Sequence, residues 1–518
     1  MKRPFLFYPF LFALFPVLAL FSHNVGEVNF SEILLPAMIL LVLTSILLIL
    51  FRVFLDDIKK TAILAAVFLV LSMSYMHVYH STDWEIAGFV IGRHRHLMPI
   101  WVMLFICCSY FIRKTQRNLI DFTKILNVLS IILVMIPLVT IGSHNFKTNK
   151  PIWDPEAMEK IEAEKHHSEV PDKLRDIYYI ILDRYPDANT LERVWNFDNK
   201  KFINYLTKKG FFVASESRSN YLKTAHSLAS SLNAQFINFL GDEMGKESND
   251  WLPLYQMLQD YKVQRFLKRQ GYKYLHFGSW WGPTSKNKHA DMNFRLHRLP
   301  EFSSILFKTT LFFPIAVALG MDDRREEIRK RVLYKFDALS KIPKVNDSTF
   351  VFAHMIIPHS PYVFDRHGNF LSENEVSKKS RKENYIDQLL YTNTKLEALI
   401  DKLLSDSKIQ PIIILQGDEG TFPEKYIREG KKFNWKHATK EELNEKMGIL
   451  NAYYLPETDK NLLYPSITPA NSFRLIFNLY FGTNLQLLPD DSFAFEDEHH
   501  LYSFFNVTDK VTTKSIIK

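Results

Sequence analysis

The residues best placed to do chemistry are acids that follow apolar runs. Six apolar or aromatic residues, Ile177–Leu182, lead into Asp183 and then into Tyr185-Pro186-Asp187. Such a run reads as a strand buried on both faces, with an acid at the carboxyl end where α/β sheets hold their ligands. A second run, Pro411-Ile-Ile-Ile-Leu-Gln-Gly, empties into Asp418-Glu419-Gly420. Adjacent carboxylates repel and are costly at the mouth of a sheet without a cation, so this motif points to a metal. Its glycines are expected to serve a sharp backbone turn. Thr224 lies between the two acidic motifs, in the stretch Asn220–Asn233, just before a helix rich in small residues, with His226 and Ser227 in the first turn. Its hydroxyl reads either as an N-cap or as a nucleophile at a helix terminus that favours an incoming phosphate or sulfate. His354 and His359 fall at the end of a further strand, and Pro358 and Pro361 bracket the second of them. A rigid turn of this kind suits an imidazole that must be held still.

The elements that must position these groups alternate. Strands are expected at Ile177–Leu182, Lys273–Phe277, Thr349–Met355, Ile412–Leu415 and Ile449–Leu455. Helices are expected at Lys200–Lys209, His226–Leu240, Leu252–Gln270, Arg324–Lys341, Glu383–Ser405 and Phe473–Phe481. The alternation predicts an α/β domain, a mostly parallel central sheet flanked by helices.

A chain of 518 residues is too long for one ordinary domain, and its 47% hydrophobic content is concentrated before Ser143. Five apolar runs, Phe5–Phe21, Ile33–Phe51, Ala62–Tyr79, Leu97–Ile112 and Ile125–Ile141, predict an N-terminal five-helix transmembrane domain. Lys and Arg before the first run, between the second and third, and between the fourth and fifth predict a cytoplasmic start and an extracytoplasmic second half. Arg93-His94-Arg95-His96 breaks that pattern. It reads either as an ordinary loop or as a cationic patch for a lipid phosphate. Ile305–Leu319 reads either as a packed helix or as a segment dipping into the outer leaflet. The expected division is 1–145 transmembrane, 146–173 linker with a possible interfacial helix, 174–490 catalytic and 491–518 a C-terminal tail. The net charge of +8 is modest and scattered, which argues against a nucleic-acid partner. The only cysteines, Cys107 and Cys108, sit in an apolar run, so the second half needs no disulfide.

The order strand-to-Asp183, Thr-bearing helix start, Pro358-His-Ser-Pro361 and Gly417-Asp-Glu-Gly420 resembles the alkaline phosphatase superfamily in its sulfatase-like branch, over Asp176 to Phe481. The architecture is similar to that of lipoteichoic acid synthases and phosphoethanolamine transferases. The resemblance implies a catalytic metal held by Asp183, Thr224, Asp418 and Glu419, a nucleophilic Thr224, and His359 with His354 as catalytic imidazoles. It also brings His226, Lys223 and Asn220 into consideration for substrate binding.

Two departures matter. Sulfatases follow their nucleophile with Pro and Arg, whereas this chain reads Thr224-Ala-His-Ser-Leu228, and no formylglycine can be made from Thr. Phosphate esters are therefore expected in preference to sulfate esters. Glu419 stands where the transferases usually have His, giving an all-oxygen set that favours Mn²⁺ or Mg²⁺, with Zn²⁺ or Ca²⁺ also compatible. The expected function is a membrane-anchored, metal-dependent transferase or hydrolase in the cytoplasmic (inner) membrane. It would use a phospholipid headgroup donor and a glycan or lipid acceptor. The alternative is a catalytically inactive envelope scaffold of the same fold.

Overall fold

The structure, a computed structural model, describes residues 5–81, 85–86, 89–90, 93–148, 174–296, 301–321 and 324–511. Nearly all of the expected linker, 146–173, lies outside them. The chain divides into two compact units: 1–150 with 298–323, and 151–297 with 324–518.

The first unit contains five apolar helices: α1 (Tyr8–His23), α2 (Ser31–Phe54), α3 (Ile58–Ser81), α4 (His94–Lys114) and α5 (Ile120–Thr148). Four of them, α2 to α5, are long and apolar enough to cross a bilayer. α1 has 16 residues, a rise of about 24 Å. That is short of a ~30 Å hydrocarbon core. Its inner face is nevertheless enclosed by its neighbours, with Tyr8, Ala13 and Val17 fully buried. Asn127 of α5 holds its start, accepting from Tyr8 N at 3.2 Å and donating to Phe5 O at 2.7 Å. By contrast, Ile39, Val42, Ile49 and Val53 of α2 and Ile125, Val128, Ile136 and Val139 of α5 are exposed. Apolar faces this extensive suit lipid and not water.

Ile305–Leu319 is neither one packed helix nor a straight span. It forms two short helices, Glu301–Lys308 and Phe312–Ala318, bent by 93°. Pro314 and the Thr309-Thr310 break stop a continuous helix. The break is hydrogen-bonded to α3 through Leu311 N to Ser72 O at 2.8 Å and Met76 N to Thr309 O at 3.4 Å.

The second unit is built on a seven-stranded sheet: β1 (Ile177–Leu182), β2 (Phe212–Val213), β3 (Lys273–Phe277), β4 (Met292–Phe294), β5 (Thr349–Met355), β6 (Ile412–Gly417) and β7 (Asn451–Tyr454). The strand order is β2-β7-β6-β1-β5-β3-β4, parallel from β6 to β4, with β7 and β2 joined antiparallel at one edge. β1 lies at the centre and all six of its residues are buried. Ile177, Tyr179 and Ile181 pack into one apolar cluster, and Tyr178, Ile180 and Leu182 into the other. This alternation is why the run is continuously apolar: it supplies both faces at once. At the other end of β1, Asp176 Oδ1 accepts from Thr349 N and Oγ1, both at 2.8 Å, which fixes the register with β5.

Five helices matter to the site: α6 (Thr224–Asn233), α7 (Arg324–Leu339), α8 (Arg381–Asp406), α9 (Lys440–Met447) and α10 (Pro469–Phe481). α8 and α9 each open with a capping box, Ser380/Glu383 and Thr439/Glu442. Two expected helices break early, since α6 ends at Asn233 and Leu252–Gln270 splits at Asp260-Tyr261. The stretch 491–511 is not a detached tail. Phe493, Phe495, Leu501, Tyr502, Val507 and Val511 are buried in the cluster around α6 and α10.

Candidate functional site

Strand register brings the acids together. Leu182 pairs with Gly417 across β1 and β6, so Asp183 and Asp418 leave the sheet side by side. Ile181 pairs with His354 across β1 and β5, placing an imidazole on the other flank of β1. Alternation decides the facing. Ile181, Phe352 and Ile414 point into the cluster that holds Ala225 and Leu228 of α6, so Asp183, His354 and Asp418 share the α6 side. All three are buried, and each offers a ligand atom within 4.8 Å of the others. Glu419 is one residue out of phase.

Three observations fit this trio to a divalent cation. Asp183 Oδ1 and His354 Nε2 are buried with no hydrogen-bond partner among the described residues, and His354 Nε2 is 3.6 Å from Asp183 Oδ2. Burial, and then the charges of Asp183 and Glu419, raise the Asp418 carboxyl well above the usual range. Burial also pushes Asp183 upward, but His359, His354 and Arg184 outweigh it and hold that carboxyl low. Finally, two carboxylate oxygens and one imidazole nitrogen form a donor set that Mn²⁺ and Zn²⁺ accept.

Thr224 is the first residue of α6, and the N-cap is Lys223, which makes no side-chain cap. The N-cap reading of Thr224 therefore fails. Its hydroxyl donates instead to Asp418 Oδ2 at 2.6 Å. The other oxygen of Asp418 accepts from Arg184 N at 3.0 Å, and Ser227 Oγ donates to the Asp418 carbonyl at 2.6 Å. Arg184 adopts the left-handed conformation, φ 58°, which turns the chain directly after Asp183.

Glu419 sits differently from the ligand the resemblance implied. Its Oε1 is 2.7 Å from Lys446 Nζ of α9, with both residues buried, and 3.4 Å from Arg184 Nε. Burial drags Lys446 down to about 7 against the pull of Glu419. The Phe422 ring carries Lys446, Arg184 and Lys223 at 3.4, 4.3 and 4.3 Å from its centroid. Oε2 of Glu419 is the one atom of this corner left without a hydrogen-bond partner. The flanking glycines are needed for close approach and not for a turn. A Cβ on Gly417 would stand 2.4 Å from Tyr185 O, and one on Gly420 would stand 2.2 Å from Glu445 O.

The remaining expected residues divide. His359 is partly exposed at the turn after β5, with Nδ1 engaged by the Ser360 carbonyl. Burial lowers its pKa, partly offset by the charge of Asp183. Lys223 is near the site, its Nζ 2.6 Å from Glu498 Oε1 and bonded to the Tyr426 hydroxyl. His226 and Asn220 are not at the site. His226 is fully buried, stacked on Phe495 with Nε2 3.1 Å from Leu501 O, and burial pushes it down to about 3. Asn220 donates to Asp491 O and accepts from Ala470 N, which ties the C-terminal segment and α10 to the start of α6. Three neighbours carried no sequence signal. Thr284 Oγ1 is 2.8 Å from His354 Nδ1, Lys335 Nζ of α7 donates to His354 O at 2.5 Å, and Lys446 neutralises Glu419. Arg184 could have been found, since it directly follows Asp183.

No curated protein matches the chain. Solved structures resemble it distantly. The C-terminal periplasmic domain of EcEptC from Escherichia coli is 12% identical with a TM-score of 0.43, over 66% of this chain and 94% of that one. Lipooligosaccharide phosphoethanolamine transferase A (EptA) from Neisseria meningitidis is 12% identical with a TM-score of 0.37, over 91% and 94%. The lipoteichoic acid synthase LtaP from Listeria monocytogenes is 12% identical with a TM-score of 0.40, over 68% and 86%. The family model for Sulfatase matches residues 177–443, from the first residue of β1 through α6, β5 and β6 into α9. That match takes in Asp183, Thr224, His354, His359, Asp418 and Glu419 and more than half of the chain, which belongs to the sulfatase family.

Proposed function

We propose that the chain is a membrane-anchored, metal-dependent enzyme that moves a phosphate-linked group from an envelope lipid or glycan through Thr224. The acceptor is a lipid or glycan hydroxyl, or water. The observation that carries this reading is the 2.6 Å hydrogen bond from Thr224 Oγ to Asp418 Oδ2, beside a buried donor trio with two orphaned atoms. Asp183, His354 and Asp418 would hold the ion, with Mn²⁺ or Zn²⁺ the best matches to their donor types. Such an ion supplies Lewis-acid polarisation of phosphoryl oxygens.

The side chains do the rest. Asp418 orients the Thr224 hydroxyl and takes its proton as Oγ bonds to phosphorus. The bond from phosphorus to the leaving oxygen breaks, His359 protonates that oxygen, and phosphothreonine remains. The acceptor hydroxyl then attacks phosphorus and gives its proton to His359, and Thr224 leaves with the proton held by Asp418. His354 takes no part in proton transfer, because Thr284 and Asp183 face its two nitrogens. The Arg184 guanidinium, partly exposed beside Asp183 and Glu419, suits the oxygens of the transferred phosphate. With α1 taken as a crossing alongside α2 to α5, the basic residues between the apolar runs support a cytoplasmic start and a catalytic unit on the outer side of the cytoplasmic membrane, near phospholipid headgroups.

The test is Thr224→Ala and Thr224→Ser in the full-length protein, assayed with headgroup-labelled phospholipid and by mass spectrometry of the active-site peptide. We expect a phosphorylated Thr224 in the wild type, no turnover for Ala and partial turnover for Ser. Full activity of Thr224→Ala would end the assignment.

A further inference from the structure

A cleft of about 550 Å³ opens within the first unit, between the first turns of α4 and the second helix of the bent pair. Its volume falls within the ~300–1,000 Å³ of small-molecule sites. Met98 and Pro99 form one wall, Phe313, Pro314, Val317 and Ala318 the other, and His94 and Arg95 stand at the basic end.

The basic end is well ordered. The His94 ring stacks on Tyr79 with centroids 4.0 Å apart and planes at 5°, and its Nδ1 is 2.9 Å from the Tyr75 hydroxyl. Arg95 Nε donates to His96 Nε2 at 2.9 Å. Its two terminal nitrogens make no bond among the described residues. The apolar end runs into a surface that water would not tolerate: Leu319 and Met321 are 69 and 74% exposed, and Ile315 and Val317 are exposed beside them. A short helix with such a face, set at 93° to its partner, suits the headgroup-to-acyl boundary of a bilayer.

The geometry points to a binding site for one anionic phospholipid. The phosphate lies against the Arg95 guanidinium, the glycerol and the head of one acyl chain fill the cleft between Pro99 and Pro314, and the remaining chain follows the exposed apolar face. Charge complementarity at one end and apolar continuity at the other select an amphiphile over a free anion, which would leave the apolar walls bare. A peptide is disfavoured, because its backbone would find few polar partners along those walls. The site does not depend on the catalytic reading, since no residue of the phosphoryl-transfer machinery lines it.

The experiment is native mass spectrometry of the delipidated full-length protein titrated with phosphatidylglycerol. Arg95→Ala removes the guanidinium, Val317→Trp fills the cleft and Arg117→Ala, just beyond the opposite end of α4, is the control. The wild type is expected to bind one lipid tightly. Arg95→Ala should weaken that binding about five-fold, the weight of one basic side chain at a lipid surface. Val317→Trp should abolish it and Arg117→Ala should leave it unchanged. If Val317→Trp fails to fold, Ala318→Leu narrows the same cleft. Unchanged affinity in Arg95→Ala, equal binding of phosphatidylcholine, or displacement of the lipid by inorganic phosphate overturns the site.

Discussion

Two buried acidic corners lie side by side at the end of the sheet, and they settle their charge in opposite ways. In one, Asp183 and Asp418 face each other with a single neutral-leaning imidazole between them. In the other, Glu419 meets Lys446 at 2.7 Å and Arg184 at 3.4 Å, and Phe422 stacks beneath the cations. The first corner has more negative charge than its own side chains neutralise. The second is closed by the protein itself. One residue of phase separates Asp418 from Glu419, and that single step separates a site from a strut.

Removing one charge from each corner should therefore have opposite effects on the metal-free protein. Lys446→Met leaves Glu419 buried with only Arg184, and breaking a buried pair from one side costs about 3–5 kcal/mol. The double variant Lys446→Met/Glu419→Gln should recover most of that loss. Asp418→Asn relieves a carboxyl that burial and the charges of Asp183 and Glu419 push well above its usual range, and should cost little or stabilise slightly. Chemical denaturation of the metal-free proteins reads all of these. If Lys446→Met proves harmless and Asp418→Asn severe, the assignment of the two corners is inverted.

Metal addition probes the open corner from the other side. Mn²⁺ or Zn²⁺ at about 100 times its dissociation constant should stabilise the wild type by about 2.7 kcal/mol. Asp418→Asn should lose most of this gain, and Glu419→Gln should keep it. Thermal unfolding with and without the ion separates the cases. If Glu419→Gln lost the gain as Asp418→Asn does, its free Oε2 would be a ligand after all.

That difference was half legible in the sequence. β1, β3 and β5 were readable to the residue because their runs are mostly apolar or aromatic and bounded by turn residues. Asp183 and Asp418 followed from standing at strand ends. Counting by twos along Ile412–Gly417 would also have put Asp418 and Glu419 on different faces, so the all-oxygen set was avoidable. Lys446 and Thr284 were not. They arrive from distant segments, and long-range register leaves no trace in local spacing. His226 and Asn220 misled for a related reason. Both flank Thr224 in sequence, but the helical rotation that turns Thr224 toward Asp418 turns His226 into the core.

His226 has a consequence of its own for pH. Burial pushes its folded-state pKa down to about 3, against roughly 6.5 unfolded. The unfolded chain therefore takes up a proton below about pH 6.5 while the folded protein refuses it until about pH 3. Stability contributed by the neutral ring is full above pH 6.5 and is lost as pH falls through that window. Unfolding free energies at pH 5.0 and 7.5 should differ less in His226→Phe than in the wild type. An identical pH slope would show that the ring titrates normally.

The smallest effect tests how the open corner is aimed. His354 can present Nε2 to a cation only if its proton is on Nδ1, and Thr284 Oγ1, 2.8 Å away, is placed to accept it. Thr284 can accept because its own proton has another destination, Ser279 Oγ at 2.7 Å. The Thr284 carbonyl is in turn fixed by His276 Nε2 at 2.9 Å, whose other nitrogen meets Tyr274 and through it Tyr261. A chain of buried polar groups thus sets the tautomer of one imidazole. Thr284→Val removes the acceptor with little change of shape and should weaken metal binding about 10-fold, the low end for loss of such a partner. Thr284→Ser should restore it. Isothermal titration of the metal into each variant, with unfolding curves as a check on folding, measures this apart from turnover. Equal affinity in the Val and Ser variants would mean that Asp183 alone orients the ring.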